Sequence, residues 1–464
     1  MKKYTVLLIL LMAASAILLI NLGAGSLSSW DEAFYAQVSR EMLQNNNWID
    51  LTWGGLPWSD KPPLFMWGTA LFYKMFGINE FSARLFSALA GILTVLFTYL
   101  LAVKIFSKRT GILAAVMLIS TYHFLWFGKS GTLDVTFTLF TLSSVYFFLM
   151  SEEKRTNIIY SFICFSLAFL TKGVGALLIP MILGLYVILW RKWYLIINRY
   201  ALLGIFISLI VLGGWYVPAY LHYGDSFIKS HFLQNLVMRT AGAMDGHYGS
   251  WITYINVVLY KGKPWGAAGL IALPFLLVKT IKKQEAYSSI LIIWTMVVLG
   301  IFSIVKTKLH WYIMPVYPAV MIIAAWGAEK VFKRSSTFIV IACSFAALVY
   351  FGMRKDIFIL DFNPEIKKFA YNVEKNMSGK ENVYLYNVGD PGMKFYFGGF
   401  GENIHSEERL KEVCREEKII LVTDKSVLKS LDMESEIIVS GPSNTGAFRV
   451  NTKRLLRRPS ASSQ

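Results

Sequence analysis

The sequence predicts a polytopic α-helical membrane protein with about eleven transmembrane helices, surface helices in its outer loops and a small C-terminal α/β domain. Three observations predict it. Of 464 residues, 55% are hydrophobic and only 16% charged, with a mean hydropathy of +0.49, which excludes an ordinary soluble or disordered chain. Charge is also gathered at one end, since 18 of the 46 Lys and Arg and 16 of the 29 Asp and Glu fall in residues 353–464. Finally, apolar runs of spanning length recur up to residue 352 and stop there. The chain therefore divides into a transmembrane body, 1–352, and a soluble tail, 353–464. Most of the net charge of +17 belongs to the body. Basicity confined there points to lipid headgroups or an anionic substrate before nucleic acid.

Runs of spanning length fall at 4–25, 81–106, 110–128, 134–150, 157–171, 173–190, 199–217, 265–281, 286–304, 311–328 and 337–352. An odd number puts the two ends on opposite faces. Lys2, Lys3, Lys108, Arg109, Lys154, Arg155, Arg191, Lys192, Lys279, Lys282, Lys283, Lys330, Lys333 and Arg334 all lie on the N-terminal side of this count. Cytoplasmic loops are enriched in such bases, so the N-terminus is predicted inside and the tail outside, periplasmic or extracellular. The first run follows two lysines but is long and precedes ten others, so it reads as an uncleaved anchor.

Two outer connections are long, 26–80 and 218–264. In WDEAFYAQVSREML, Phe34, Val38 and Met42 recur opposite Glu32, Gln37 and Arg40, the pattern of a helix lying on the membrane surface. Trp53, Trp58, Trp67, Phe72 and Tyr73 read as an interfacial aromatic belt. In the tail, a helical run from Pro364 to Met377 alternates with the β-rich runs NVYLYNV, KFYF, IILVT and EIIVS and the polar helix SEERLKEVCREE, which argues an α/β domain. RLLRRPSASSQ reads as disordered. Cys164, Cys343 and Cys414 have no spacing of a thiolate metal site or a disulfide framework.

Ionisable groups beside hydrocarbon are functional candidates by default. On the outer face these are Asp31, Glu32, Asp60 and Asp134, with Lys61, Arg84, Lys129, Lys172, Lys263, Lys306 and Lys308. The bases oppose the positive-inside bias. A single lysine snorkels readily, but the set, gathered around two loops beside acids, reads as a phosphate-binding cavity. Asp31 and Asp134 each stand where a helix begins, and either is also suited to capping it.

The order WDEAFYAQVSREML, SDKPPLFMWGTALFYKMFGINEFSARLFSALAG, GTLDVTFTL, FLTKGVGALLIP and HWYIMPVYPA resembles the aminoarabinose-transferase and protein O-mannosyltransferase group of C-type membrane glycosyltransferases. The resemblance covers nearly all of residues 1–330. It implies transfer of a sugar from a polyprenyl phosphate to a lipid (lipid A), glycan or protein acceptor at the outer face of the cell inner membrane, with inversion at the anomeric carbon. Position by position it implies a catalytic Asp31, with Glu32 and Tyr35 completing D-E-x-x-Y; a donor-contacting Lys61 in K-P-P; a second acid, Asp134; and a donor-contacting Tyr312. Two departures stand out. Phe34 occupies a place where many bacterial relatives have arginine, and Asp60 one where glutamate is common. Some lipid A enzymes bind zinc near that carboxylate, which makes Asp60 and His247 the candidate metal ligands; two ligands do not make a site, and no cofactor is required.

The physical logic runs the same way. A leaving phosphate gains charge as the glycosidic bond breaks, so Lys61, helped by Lys172 or Lys308, would stabilise the transition state. Asp31 would take the proton of an acceptor hydroxyl; a phosphate acceptor would need only orienting. The competing class is a lipid-linked-sugar transporter or flippase, which places paired charges near the bilayer midplane. Here the acids cluster at outer span ends, favouring an enzyme.

Overall fold

A computed structural model of the chain describes residues 2–232, 248–354, 358–377, 381–414, 419–430, 435–442 and 444–450. The first apolar run forms α1 (Lys2–Leu19). The first long connection then folds into α2 (Asp31–Gln44), a short hairpin of β1 (Thr52–Trp53) and β2 (Leu56–Pro57), and α3 (Leu64–Phe76). Gly54 and Gly55 close the hairpin with φ of +63° and +82°, the backbone a two-residue loop between twisted strands demands. Next come α4 (Glu80–Ile105), α5 (Lys108–Ile119) and α6 (Tyr122–Lys129). Asn79 and Ser107 cap α4 and α5 through the amides of Ser82 and Thr110, so each helix starts where its side-chain acceptor stands.

The body continues with α7 (Leu133–Met150), α8 (Asn157–Lys172), α9 (Leu178–Trp190), α10 (Arg199–Tyr223) and the short α11 (Asp225–Ile228). Beyond residue 247 lie α12 (Thr253–Lys261), α13 (Gly266–Lys283) and α14 (Ala286–Ile304), a 3₁₀ segment at His310–Val316, α15 (Tyr317–Phe332) and α16 (Ser336–Arg354). Among the described residues six helical stretches are long and apolar enough to cross a membrane, or seven if α5 and α6, bent by 65°, make one span. Two of the six, Asn157–Trp190 and His310–Arg354, each hold two apolar helices in series. One large apolar core joins α1 to the helices from α4 onward. A smaller one gathers Tyr35 of α2, Phe65 and Met66 of α3, Leu133 of α7, Leu170 of α8, Trp215 of α10 and Phe227 of α11.

The tail forms α17 (Pro364–Asn376), β3 (Asn382–Tyr386), α18 (Pro391–Phe397), β4 (Gly401–Ile404), α19 (Glu407–Val413), β5 (Ile419–Asp424), α20 (Lys425–Ser430), β6 (Ser435–Ser440) and β7 (Thr445–Val450). The sheet order is β4-β3-β5-β7-β6, with β3 parallel to β4 and β5, and β7 antiparallel to β5 and β6. β5 is its centre, a continuous apolar run buried on both faces as a helix-covered strand requires.

Three sequence expectations change. KFYF is not a strand but the end of α18, because Asp390 caps the Met393 amide at 2.9 Å and Pro391 presets the first helical turn, a local signal that outweighs aromatic β-propensity. α2 does not lie open on the membrane surface. Gln37, Arg40 and Glu41, its polar side, are buried beneath α18 and the hairpin. The aromatic belt is partly internal as well: Tyr73 is buried and Trp67 donates from Nε1 to the Trp48 carbonyl at 2.7 Å.

Packing of α13 on α15 is closest at Gly269, where a Cβ would meet Val320 Cγ1 at 2.4 Å and its carbonyl oxygen at 2.6 Å. The carbonyl belongs to a helix backbone and cannot step aside. Gly269→Ala is therefore expected to destabilise the body by about 1–3 kcal/mol, read as a lower thermal midpoint in detergent; an unchanged midpoint would mean that this contact is not close-packed.

Candidate functional site

The site is organised by a buried ion pair. Arg84, on α4 and fully buried, donates from Nε to Glu32 Oε1 at 2.8 Å and from Nη2 to Oε2 at 3.4 Å. Nη1 also donates to the carbonyls of Leu22 and Gly25 at 3.1 Å, and Nη2 shares its two hydrogens between Glu32 and the carbonyls of Ser26 and Leu360 at 2.8 and 3.1 Å. Glu32 also accepts the amides of Ser28 at 2.8 Å and Gly131 at 2.7 Å. The start of α2 is thereby tied to the turn before α7, and so Asp31 to the neighbourhood of Asp134. Glu32 has both oxygens occupied by the protein. Its geometry is that of a tie between α2, α4 and the α7 turn.

Asp31 is the first residue of α2, with Trp30 at the N-cap position making no side-chain cap hydrogen bond. Backbone carbonyls of Ser28 and Trp30 take the amides of Ala33 and Phe34 at 3.0 Å, and Glu32 takes that of Ser28. Trp30 is 76% exposed, so the end of α2 that bears Asp31 opens outward.

Asp134 is buried near the start of α7 and forms an ion pair with Lys172, the last residue of α8. The Lys172 ammonium lies 5.3 Å from the Tyr312 ring centre and 5.5 Å from that of Phe137. Three residues singled out from sequence, on α7, on α8 and on the 3₁₀ segment before α15, therefore meet. Gly173, which follows Lys172 with φ +57°, lies against Pro62 and His231, where a Cβ would come within 3.7 Å of each. This contact brings the Lys61-Pro62-Pro63 segment to the same corner. Lys61 itself is half-buried, 3.3 Å from the Asp60 carbonyl.

Tyr35 serves packing. It is buried, with ring centres 6.3 Å from Trp58 and 5.8 Å from Phe65, which seats the hairpin and α3 on α2. Phe34 stacks on Trp53 at 4.3 Å, an apolar contact in place of the charge an arginine would bring.

Two other outer-face bases, Lys129 and Lys308, are internal fastenings, which narrows the phosphate cavity expected from the whole set. Lys129 donates to the carbonyls of Ile17, Leu18 and Ile20, closing the C-terminal end of α1. Lys308 donates to those of Phe302, Ser303 and Val305 at 2.5–2.8 Å, closing α14. Unpaired carbonyls at helix ends are natural partners for ammonium groups.

Metal ligation finds little support in the donor set. Asp60 is exposed, and His247 lies outside the described residues. His231 is below the usual histidine range because burial opposes the charged ring, against a weaker contribution from the Ser59 carbonyl. Its Nδ1–H donates to that carbonyl at 2.5 Å, leaving Nε2, 3.1 Å from the Tyr216 hydroxyl, as acceptor. Both nitrogens are occupied. Among the described residues no group of three or more His, Cys, Asp or Glu is arranged to hold an ion.

Sequence reasoning passed over two hydroxyls. Ser29 Oγ and Thr132 Oγ1 are buried with no protein hydrogen-bond partner among the described residues. A buried polar atom of this kind calls for a ligand or water. Each stands two residues before an acid, Asp31 or Asp134, and that repeated hydroxyl-x-Asp spacing was the available signal.

A helical membrane body followed by a small α/β domain is an architecture shared with a known class, the C-type membrane glycosyltransferases. The family profile described as dolichyl-phosphate-mannose-protein mannosyltransferase matches residues 60–216. An uncharacterized protein of Aquifex aeolicus (strain VF5) is 30% identical over 373 residues, 78% of this chain and 72% of that one. The undecaprenyl phosphate-α-4-amino-4-deoxy-L-arabinose arabinosyl transferase of Pseudomonas aeruginosa (strain UCBPP-PA14) is 30% identical over 66% of this chain and 56% of its own length. The chain thus spans a little over half of that relative. The fold is shared with ArnT from Cupriavidus metallidurans, solved bound to undecaprenyl phosphate, at a TM-score of 0.82 and 17% identity over 98% of this chain and 99% of that one. The chain belongs to the C-type membrane glycosyltransferase group, and it is a multi-pass membrane protein.

The buried pair yields a stability prediction. Arg84→Met leaves the Glu32 carboxylate without its cation, and loss of about 3–5 kcal/mol is expected. Adding Glu32→Gln removes the stranded charge, so the double variant should unfold at a higher temperature than Arg84→Met alone. Strictly additive losses in thermal unfolding would show that the two side chains do not act as a pair.

Proposed function

We propose that this protein transfers a sugar from a polyprenyl phosphate to a lipid, glycan or protein acceptor at the outer face of the cell inner membrane, with inversion. The observation that carries the reading is the meeting of Asp134, Lys172 and Tyr312 beside the Lys61 segment, with Asp31 tied to the same turn through Glu32. Relatives named as arabinosyl transferases of undecaprenyl-phosphate-linked sugar, and a shared fold with a protein crystallised on undecaprenyl phosphate, support the donor class. The aminoarabinose side of the family is favoured over the protein-mannosylating side by the full-length match of fold, α/β tail included.

In this mechanism the acceptor oxygen attacks the anomeric carbon from the face opposite the phosphate. The C–O bond to phosphate breaks, its electron pair leaves with the phosphate, and the acceptor proton passes to the Asp31 carboxylate. Lys61 and Lys172 stabilise the phosphate as its charge grows; Asp134 holds Lys172 in place, and Tyr312 borders the ammonium. Ser29 and Thr132 offer hydrogen bonds to sugar hydroxyls. Glu32 acts by position, Tyr35 by packing, and Lys308 by closing α14. No step passes through a metal, because Asp60 and His247 are too few ligands.

The same proposal includes the finer topology. Counting α1, α4, the bent α5–α6, α7, α8, α9, α10, α13, α14, α15 and α16 as crossings gives eleven, with the body ending near 352 and the soluble domain beginning at 353. The N-terminus is then cytoplasmic and the C-terminal domain periplasmic or extracellular. An impermeant thiol reagent on intact cells should label a cysteine placed at Ser426 and spare one at Lys108. The reverse pattern would invert the orientation and discard the site.

Asp31→Asn should abolish transfer while leaving insertion and undecaprenyl phosphate binding intact, because an amide keeps the shape and takes no proton. Near-normal turnover would reject Asp31 as the base. Lys61→Met keeps most of the apolar stem and removes the cation, so turnover should fall roughly a hundredfold, about 3 kcal/mol in barrier, with Lys108→Met as a silent control. Equal small effects from both lysines would move the phosphate site to Lys172. A flippase would retain lipid translocation in Asp31→Asn, and mass spectrometry of envelope glycolipids from a deletion strain separates the two classes.

A further inference from the structure

The C-terminal domain touches the segment that leads into Asp31 at an unusual density of polar contacts. Asp361 Oδ1 accepts the amide of Ser26 at 2.9 Å and its hydroxyl at 2.5 Å. Asn363 donates from its amide to Ser26 Oγ at 2.6 Å and from Nδ2 to the Leu27 carbonyl at 2.7 Å. The Tyr396 hydroxyl of α18 accepts the Leu27 amide at 2.8 Å and lies 3.1 Å from Glu80. Ser29 Oγ abuts Gly392 at the start of the same helix, where a Cβ would meet it at 2.8 Å.

A second set of contacts holds the far half of α2. Arg40 donates to the Phe395 carbonyl at 2.5 Å and lies 4.6 Å from its ring centre. Lys394, only 5% exposed, places its ammonium 3.7 Å from the centre of the Trp53 ring, and His405 donates from Nε2 to the Gly54 carbonyl. Glu41 completes the arrangement by accepting the Gly54 amide at 2.6 Å, the Gly55 amide at 3.1 Å and the Thr52 hydroxyl at 2.7 Å. Burial holds Lys394 below the usual lysine range, partly offset by Glu41. A charge kept in so dry a position needs the aromatic face it covers.

We propose that the C-terminal domain is a buttress for catalysis: α18 and residues 360–363 fix residues 26–31 and the hairpin, so that Asp31 stands at a set distance from the donor corner of Lys61 and Lys172. Tyr396 and Lys394 are its positioning residues. The inference rests on the reading of Asp31 as the base that receives the acceptor proton. Lys172, Asp134 and Tyr312 of the donor corner are held together within the membrane body, while Lys61 stands four residues after the hairpin. Loosening the buttress should therefore slow the chemical step and spare donor binding, since a displacement of about 1 Å at a reacting group can lower a rate about a hundredfold.

The experiment uses the full-length protein in nanodiscs. Tyr396→Phe removes one hydroxyl, Lys394→Met removes one cation, and Lys394→Arg restores a cation that stacks on tryptophan. Turnover is followed from a polyprenyl-phosphate sugar to isolated envelope lipid, and donor-site affinity is measured with undecaprenyl phosphate alone. Tyr396→Phe and Lys394→Met are each expected to lower kcat about tenfold with undecaprenyl phosphate affinity within about twofold of wild type; Lys394→Arg should recover most of the loss. Wild-type kcat in both single variants, beside an inactive Asp31→Asn, overturns the buttress and leaves the catalytic reading standing. Parallel loss of kcat and undecaprenyl phosphate affinity, not recovered by Lys394→Arg, also overturns it, because the domain would then hold up the whole fold. An active Asp31→Asn overturns the underlying reading whatever the other variants do.

Discussion

Arg84 and Glu32 meet with almost no exposure to solvent, and the outer half of the molecule is arranged around them. The guanidinium reaches one carboxylate and four backbone carbonyls, from the end of α1 to the linker that enters the C-terminal domain. Only a planar group with five fixed N–H vectors can satisfy that many acceptors on different segments at once; lysine, a compact charge with three donors, cannot. Taking both ions out of water costs several kcal/mol each, so such a pair contributes little net stability against an apolar substitute. Its value is geometric. The unpaired alternatives are worse still, which leaves few other ways to assemble α1, α2, α4 and the α7 turn.

How much of this can be read from sequence depends on whether the determining partner is local. Hydropathy located the apolar runs, and α4, α7, α10 and α14 begin within a residue of the limits read from charge alone. The run at 110–128 hid a break. Ser120 returns its hydroxyl to the Val116 carbonyl at 2.8 Å and receives the Trp265 indole at 2.9 Å; a distant tryptophan takes part in the bend, and no nearby residue announces it. Arg84 was legible as an anomalous base at an outer helix start, yet a snorkelling arginine and a buried one look alike in one dimension. The clue was its setting among Ser82, Ala83, Ser87 and Ala88, small residues that let neighbouring backbone come close. β4 and β7 escaped notice because GENI is polar and TGAFRV has a glycine at its second position; both become strands through pairing with β3 and β5.

The sorting of cations gives the candidate site its character. A sequence shows only that bases gather at one face. The structure divides them into those that close helix ends, Lys129 and Lys308, the one that joins segments, Arg84, and those placed around the corner shared by α7 and α8. Lys172 is poised by Asp134 and covered by aromatic rings, which keeps its ammonium in a low-dielectric setting where an approaching phosphate is felt strongly. A charge fixed before the substrate arrives needs no reorganisation during reaction. That advantage is lost if the lysine swings free, and a buried carboxylate is the simplest restraint.

α2 brings these constraints together. Its apolar side is seated on α3 and its polar side is covered by the C-terminal domain, so a helix whose pattern suits a water–membrane boundary is enclosed on both faces. Amphipathicity reports only that two unlike environments flank a helix, and here the second environment is protein. With its sides covered, α2 is open at its two ends, at Asp31, which is half-buried behind an exposed Trp30, and at Gln44, which is exposed. On the proposed reading, a substrate approaching from the outer leaflet or the aqueous space would meet the Asp31 carboxylate at the N-terminal one of these ends. Enclosure of the helix and the partial opening of its first residue follow from the same packing, and under the buttress proposal the tail would shape the reaction site without contributing a reacting group.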